Sequence, residues 1–106
     1  MIGVDLVYIP EFKARLEAGG NHLLETMFSL DELRGNTTEH LAGVWAAKEA
    51  VRKTTDDAPK VWTDIHIVYA NSGRPSAVWS TKRFQISISH QGEYTIAIAQ
   101  EEEIRS

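Results

Sequence analysis

The chain has 106 residues, of which 42% are hydrophobic, and a formal net charge of −4; these values predict one globular domain with one modest core. The sequence contains no cysteine, which excludes disulfides and thiolate metal sites. It has no apolar run of the roughly 20 residues that a membrane span needs, no signal-peptide pattern and no basic run interleaved with aromatic residues. We therefore expect a cytoplasmic protein that binds neither nucleic acid nor membranes.

The first element is a predicted strand. Residues 1–9 alternate in hydrophobicity with a period of two, and Pro10 ends the strand because it has no N–H for the ladder. Residues 11–18 and 21–27 then each fit a short helix. Gly19-Gly20 separates the two helices, since glycine takes the left-handed cap conformation without strain.

Capping signals predict two further helices. Ser29 and Glu32 have the spacing of a capping box, and Gly35 ends the helix that they start. Thr37 or Thr38 caps the next helix, which is expected to run to about Thr54. The predicted core face of this helix comprises Leu41, Val44, Ala47 and Val51.

The rest of the chain is predicted to be sheet. The expected strands are residues 61–70, 76–80, 84–89 and 94–99. Residues 71–75 form a turn, Gln91-Gly92 closes a hairpin, and the charged residues from Glu101 onward are expected to be a solvated tail. This order of elements predicts a single α+β domain with helices packed on one face of a largely antiparallel sheet.

Two carboxylates and a lysine are candidates for chemistry. Asp5, inside an apolar strand, is either an edge residue that faces water or a metal ligand, since a carboxylate there usually needs a partner. Glu49 and Lys53 are either an exposed helical pair, which stabilises a helix by about 0.3–0.5 kcal/mol, or a stripe that faces a phosphate. Mg²⁺ takes a couple of carboxylates, waters and phosphate oxygens, so Asp5 and Glu49 would suit it.

The other polar candidates are weaker. His90 ends a strand, where a histidine is more often a surface residue than a catalyst, and Ser87 and Ser89 share a polar face beside it. Lys48 is expected to lie in solvent, from where it could reach a phosphate. No spacing among the remaining histidines indicates a metal site.

Five sequence motifs occur in the order in which one known family has them. They are Gly3-Val4-Asp5, the helix start at 28–33, Trp45-Ala46-Ala47-Lys48-Glu49-Ala50, Gly73-Arg74-Pro75 and Ile86-Ser87-Ile88-Ser89-His90. With them the chain resembles the holo-acyl-carrier-protein synthases, a group of small 4′-phosphopantetheinyl transferases, over nearly its whole length.

The resemblance implies an activity and an assembly. Members of this family are α+β domains that form homotrimers with active sites between subunits. They transfer the 4′-phosphopantetheine group of coenzyme A to a serine of an apo acyl carrier protein and release adenosine 3′,5′-bisphosphate. Residues 1–106 would form that transferase domain. The carrier could belong to fatty-acid, polyketide or another synthesis.

The resemblance also implies roles for individual residues. Asp5 and Glu49 would bind Mg²⁺. The implied catalytic residues are Glu49, Lys53 and His90, and the implied contacts to coenzyme A are Lys48, Lys53, Arg74, Ser89 and His90. By analogy, Lys13 and Arg15 on the first helix would meet the acidic carrier.

The chain departs from the family at three places, all where the nucleotide of coenzyme A would be held. Val44 replaces a frequent arginine, residues 54–59 replace a glycine-rich turn, and the stretch between Pro75 and His90 is short. We expect these changes to weaken coenzyme A binding and Val44→Arg to restore it. The alternative is that Val44 is buried and that Arg52 or Arg74 supplies the charge.

Two other functions remain open at this point. One is a non-catalytic homologue that binds a carrier protein or serves as an assembly module. The other is a generic small ligand-binding α+β domain. The retention of Asp5, Glu49, Lys53 and His90 favours catalysis over both.

Overall fold

The computed structural model of the protein describes residues 1–57 and 59–103. Its strands are β1 (Ile2–Tyr8), β2 (His66–Tyr69), β3 (Pro75–Trp79), β4 (Lys82–Gln91) and β5 (Tyr94–Glu101). The helices are α1 (Ile9–Met27), α2 (Leu30–Leu33), α3 (Thr38–Arg52) and a 3-10 helix at Trp62–Asp64. The strands form one sheet in the order β1-β5-β4-β3-β2, and every pair is antiparallel. The α+β prediction is confirmed.

Most helix boundaries follow the predicted signals. The two helices predicted before Met27 form one helix, α1, broken at Gly20, whose φ of 63° is outside the helical range. Ser29 and Glu32 form the predicted capping box, and Thr37 accepts a hydrogen bond from the backbone N–H of His40 as the cap of α3.

Several predicted boundaries are wrong. β4, for example, extends two residues beyond each end of the predicted strand 84–89. The strand predicted over 61–70 begins only at His66, because the N–H groups of Asp64 and Ile65 bond back to the carbonyls of Val61 and Trp62 and close a 3-10 turn. The indole of Trp62 there packs against Trp45. At the other end, Glu101 still pairs within the sheet; residues 104–106 of the predicted tail lie outside the described residues.

Helix α3 forms the centre of the core. It packs against β1, β4 and β5, and every residue from Leu41 to Lys48 is buried, so the helix has a wider buried surface than the predicted core face. Gly3 permits the close approach of β1, because a Cβ at this position would lie 1.8 Å from the carbonyl oxygen of Ala50. This contact brings Asp5, two residues further along β1, beside the C-terminal half of α3.

The face of the sheet that points away from α3 is uncovered and apolar. It exposes Ile2, Val4 and Leu6 of β1 and Ile96 and Ile98 of β5. Contiguous apolar patches of this kind often mark interaction surfaces.

Among the described residues, no helix combines the length and apolarity needed to cross a bilayer.

Candidate active site

A cleft of about 260 Å³ lies between β1, the start of α1 and α3. Its lining includes the polar residues Asp5, Glu11, Arg15 and Glu49 together with Trp45. Each wall has a sequence origin: alternation along β1 turns Asp5 toward the helices, Pro10 starts α1 directly after the strand, and Trp45 and Glu49 are one turn apart on α3.

Asp5 and Lys53 form an ion pair beside this cleft. The Lys53 Nζ donates to Asp5 Oδ1 at 2.9 Å and to the carbonyl oxygen of Val4 at 3.1 Å. Lys53 caps the C-terminus of α3, where the helix dipole favours a cation. The lysine side chain is 53% exposed and the aspartate 14%, so the ammonium remains accessible to an anion that enters the cleft.

Glu49 is the second carboxylate of the cleft. Burial raises the pKa of its carboxyl, the charge of Asp5 raises it further, and Lys53, Arg52 and Arg15 act in the opposite direction. The effect of Asp5 places the two carboxylates within electrostatic reach of each other. The predicted association of Asp5, Glu49 and Lys53 is therefore present in the structure.

This carboxylate pair fits a hard divalent cation that also has an external ligand. No cluster of three or more His, Cys, Asp or Glu side chains that could hold a metal occurs within residues 1–57 and 59–103, so the chain has no closed metal cage there. Mg²⁺ commonly binds through one or two carboxylates plus waters and substrate phosphates. A cation beside Asp5 and Glu49 would also relieve their mutual repulsion.

The expectation that Lys48 lies in solvent is wrong. Its side chain is completely buried and its Nζ donates to Glu32 Oε1 at 2.6 Å, to the Met27 carbonyl at 2.9 Å and to the Trp62 carbonyl at 3.2 Å. Burial lowers the pKa of Lys48, and Glu32 offsets part of that effect. All three ammonium donors have partners inside the chain, so Lys48 is not available to coenzyme A.

The other predicted contacts to coenzyme A do not line this cleft within the chain. Arg74 borders a separate groove on the uncovered face of the sheet, together with Ser76, Ser87 and Ile98. Ser89 and His90 are consecutive in β4 and therefore point to opposite faces of the sheet. The Nδ1 of His90 lies 2.8 Å from Thr95 Oγ1.

The structure confirms one part of the second alternative for Val44, its burial; whether Arg52 or Arg74 supplies the charge stays a prediction. This side chain is only 1% exposed and belongs to the hydrophobic core, so Val44 is a packing residue. The expectation that Val44→Arg would present a guanidinium to a phosphate is therefore wrong. Arg52 lies against Trp62, with its guanidinium carbon 4.8 Å from the ring centroid.

Sequence reasoning missed three residues of the cleft. Glu11 was not considered, Arg15 was assigned by analogy to the contact with the acidic carrier protein, and Trp45 was treated only as part of a motif. A signal was present, because Glu11 and Arg15 are four residues apart on α1 and Trp45 and Glu49 are four apart on α3. Residues at this spacing share a helix face, so each pair reaches the same wall.

Comparison with known proteins identifies the family of the chain. The family model of the 4′-phosphopantetheinyl transferase superfamily matches residues 1–99. The holo-[acyl-carrier-protein] synthase of Gloeobacter violaceus is 35% identical, covering 91% of this chain and 87% of its own. That of Wolinella succinogenes is also 35% identical, with 100% of both chains covered.

A solved structure extends the likeness to the fold. The Helicobacter pylori holo-[acyl-carrier-protein] synthase, crystallised in complex with coenzyme A, superposes with a TM-score of 0.87 at 25% identity and covers 96% of this chain and 100% of its own. The sequence motifs, the sheet order and these likenesses lead to one conclusion: the chain belongs to the 4′-phosphopantetheinyl transferase superfamily, among the holo-[acyl-carrier-protein] synthases.

Proposed function

We propose that residues 1–106 form a domain that transfers the 4′-phosphopantetheine group of coenzyme A to a serine of an apo acyl carrier protein. The observation that carries the proposal is that Asp5 and Glu49 line one cleft and that Lys53 forms an ion pair with Asp5 beside it. Carboxylates that can hold a metal ion and a nearby cation are recurring parts of sites that transfer phosphoryl groups. The relatives named above support the same reaction.

The reaction exchanges one phosphorus–oxygen bond for another. The serine Oγ forms a bond to the phosphorus that carries pantetheine, and the bond from this phosphorus to the bridging oxygen of the pyrophosphate breaks. Adenosine 3′,5′-bisphosphate leaves with that oxygen, and the serine proton is released. Such transfers leave the protein little covalent work, so positioning and charge stabilisation dominate.

The chain's own residues divide these tasks. Asp5 and Glu49 would hold Mg²⁺, which when bound would stabilise charge on the phosphate oxygens. A carboxylate oxygen of Glu49 accepts the serine proton directly or through water. Lys53 contributes a fixed positive charge to the pyrophosphate.

We propose a homotrimer in which each cleft is completed by a neighbour. The support is the uncovered apolar face formed by β1 and β5 and the placement of Arg74 and Ser89 on that same face, away from the carboxylates of their own chain. Arg74 and Ser89 would then contact coenzyme A bound at a neighbouring subunit, whereas His90, which points to the face that α3 covers, would reach it only from the edge of the sheet. Light scattering at micromolar concentration should give three times the chain mass; a monomer mass would contradict this assembly.

Intact-mass spectrometry of an apo acyl carrier protein tests the function. Incubation with the protein, coenzyme A and Mg²⁺ should add the mass of one phosphopantetheine group, whereas a carrier with its acceptor serine replaced by alanine should stay unchanged. Chelation of the metal should stop the reaction. Binding of the carrier without any mass change would instead support the non-catalytic alternative.

A further inference from the structure

Arg15 is a cation of the cleft that no carboxylate neutralises by direct contact. It lies on α1 and lines the cleft together with Asp5 and Glu49. None of the ion pairs within 4 Å among residues 1–57 and 59–103 involves it. Lys53, in contrast, is already bonded to Asp5. The N–H groups of the Arg15 guanidinium are therefore better placed to bind a ligand than the ammonium of Lys53.

Aromatic rings give Arg15 a fixed support. Its guanidinium carbon lies 5.6 Å from the centroid of the Trp45 ring. Trp45 is itself held by Trp62, with ring centroids 4.5 Å apart, and by Phe28 at 6.1 Å. A guanidinium that rests on an aromatic face keeps its N–H edge open for hydrogen bonds.

The charge of Arg15 acts on the reacting part of the cleft. Arg15 lines the same cleft as three carboxylates, those of Asp5, Glu11 and Glu49. These carboxylates would repel an anionic pyrophosphate that enters the cleft. The positive charge of Arg15 offsets this repulsion from within the cleft.

We propose that Arg15, supported by Trp45, binds a phosphate oxygen of the coenzyme A pyrophosphate in this cleft, an assignment that rests on the proposed transferase function. The planar guanidinium can make two parallel hydrogen bonds to one phosphate, a geometry that lysine lacks. Contact with a carboxylate of the carrier protein is the competing role. Lys13 and Arg15 are both exposed on this helix, but Lys13 is not among the cleft residues, so the contact with the carrier fits Lys13 better.

Titration calorimetry with coenzyme A and Mg²⁺ tests this contact. Arg15→Gln should weaken coenzyme A binding by about 10- to 100-fold, the range expected for loss of charge-assisted hydrogen bonds, and Arg15→Lys should fall in between. Lys13→Gln removes the same charge from the same helix and should leave the affinity unchanged. In steady-state transfer, Arg15→Gln should leave the KM for the carrier unchanged.

The outcomes separate this contact from the transferase function. Equal coenzyme A affinities for Arg15→Gln, Lys13→Gln and the wild type would overturn the role of Arg15, even if the wild type modifies the carrier. A raised carrier KM with unchanged coenzyme A affinity would assign Arg15 to the carrier and also overturn it. Loss of affinity in Arg15→Gln when the wild type shows no transfer would keep the contact and contradict only the function.

Discussion

Two lysines, one inside α3 and one at its C-terminal cap, have opposite environments. Lys48 is completely buried and bonded to Glu32 and two backbone carbonyls, whereas Lys53 is half-exposed at the end of the helix and bonded to Asp5. The first pair connects α3 to the end of α1, to α2 and to the 3-10 helix. The second pair borders the cleft.

The difference shows how one helix can both anchor the fold and form the site. Glu32 also accepts hydrogen bonds from the N–H groups of Ser29 and Ile67, so the buried pair connects four elements around α3. This fixes the rotation of the helix about its axis. Glu49, the residue after Lys48, is thereby directed toward the cleft, where Lys53 keeps its charge accessible.

The largest effect is expected for Lys48→Met. It should lower the free energy of unfolding by about 3–5 kcal/mol, because Glu32 would be left buried without its counter-ion. Chemical denaturation measures this change. The double variant Glu32→Gln/Lys48→Met should lose less than the sum of the single variants; a loss below about 1 kcal/mol for Lys48→Met would show that the buried pair does not anchor α3.

Val44→Arg is expected to have the next largest effect. It places a guanidinium in the core one turn before Lys48 and should cost roughly 2–4 kcal/mol of unfolding free energy. Leu30→Arg is the matched control, since Leu30 is 76% exposed and should tolerate the charge. Unchanged stability together with tighter coenzyme A binding in Val44→Arg would restore the interpretation of this position as a phosphate contact.

Gly3→Ala tests the close approach that places Asp5 beside α3. The added Cβ would collide with the carbonyl oxygen of Ala50, and the strand would have to move away, at a cost of about 1–3 kcal/mol. Transfer activity should fall as well, because Asp5 moves with the strand. Thermal unfolding and the transfer assay together measure both effects; wild-type values in both would contradict the packing described for β1.

Lys53→Met should have the smallest effect on stability and thus sharpen the contrast with Lys48. Its exposed ion pair contributes less than about 1 kcal/mol to folding, but transfer should fall at least about tenfold because a charge that faces the pyrophosphate is lost. The same denaturation series and assay measure both values. A stability loss as large as that of Lys48→Met would make Lys53 a structural residue.

The sequence predicted the parts of the molecule that depend on local signals. Alternation identified most strands, capping residues located α2 and α3, and the order of motifs brought Asp5, Glu49 and Lys53 together as a set. The different environments of Lys48 and Lys53 were not predictable from spacing. They depend on which elements cover each side of α3, and the residues that surround Lys48, such as Glu32 and Trp62, are distant in the sequence.

The predicted site lacked some residues of the cleft, because their positions also depend on contacts between elements that are distant in the sequence. Arg15 lies on α1, and its place in the cleft depends on the angle at which this helix leaves β1 and on the indole of Trp45 beneath it. Val44 was placed on the core face of its helix, but an arginine there was still expected to reach a phosphate, because a single helix pattern did not show that every residue from Leu41 to Lys48 is buried.

The transfer rate of charge-neutralised carboxylate variants tests the central claim most directly. With coenzyme A, Mg²⁺ and apo carrier protein, Asp5→Asn and Glu49→Gln should each lose at least about 100-fold in rate while they keep the wild-type thermal transition. Glu11→Gln, which neutralises a third carboxylate of the same cleft, should retain most of the activity. Near-normal transfer by either Asp5→Asn or Glu49→Gln at limiting Mg²⁺ would contradict the assignment of these two carboxylates to the metal.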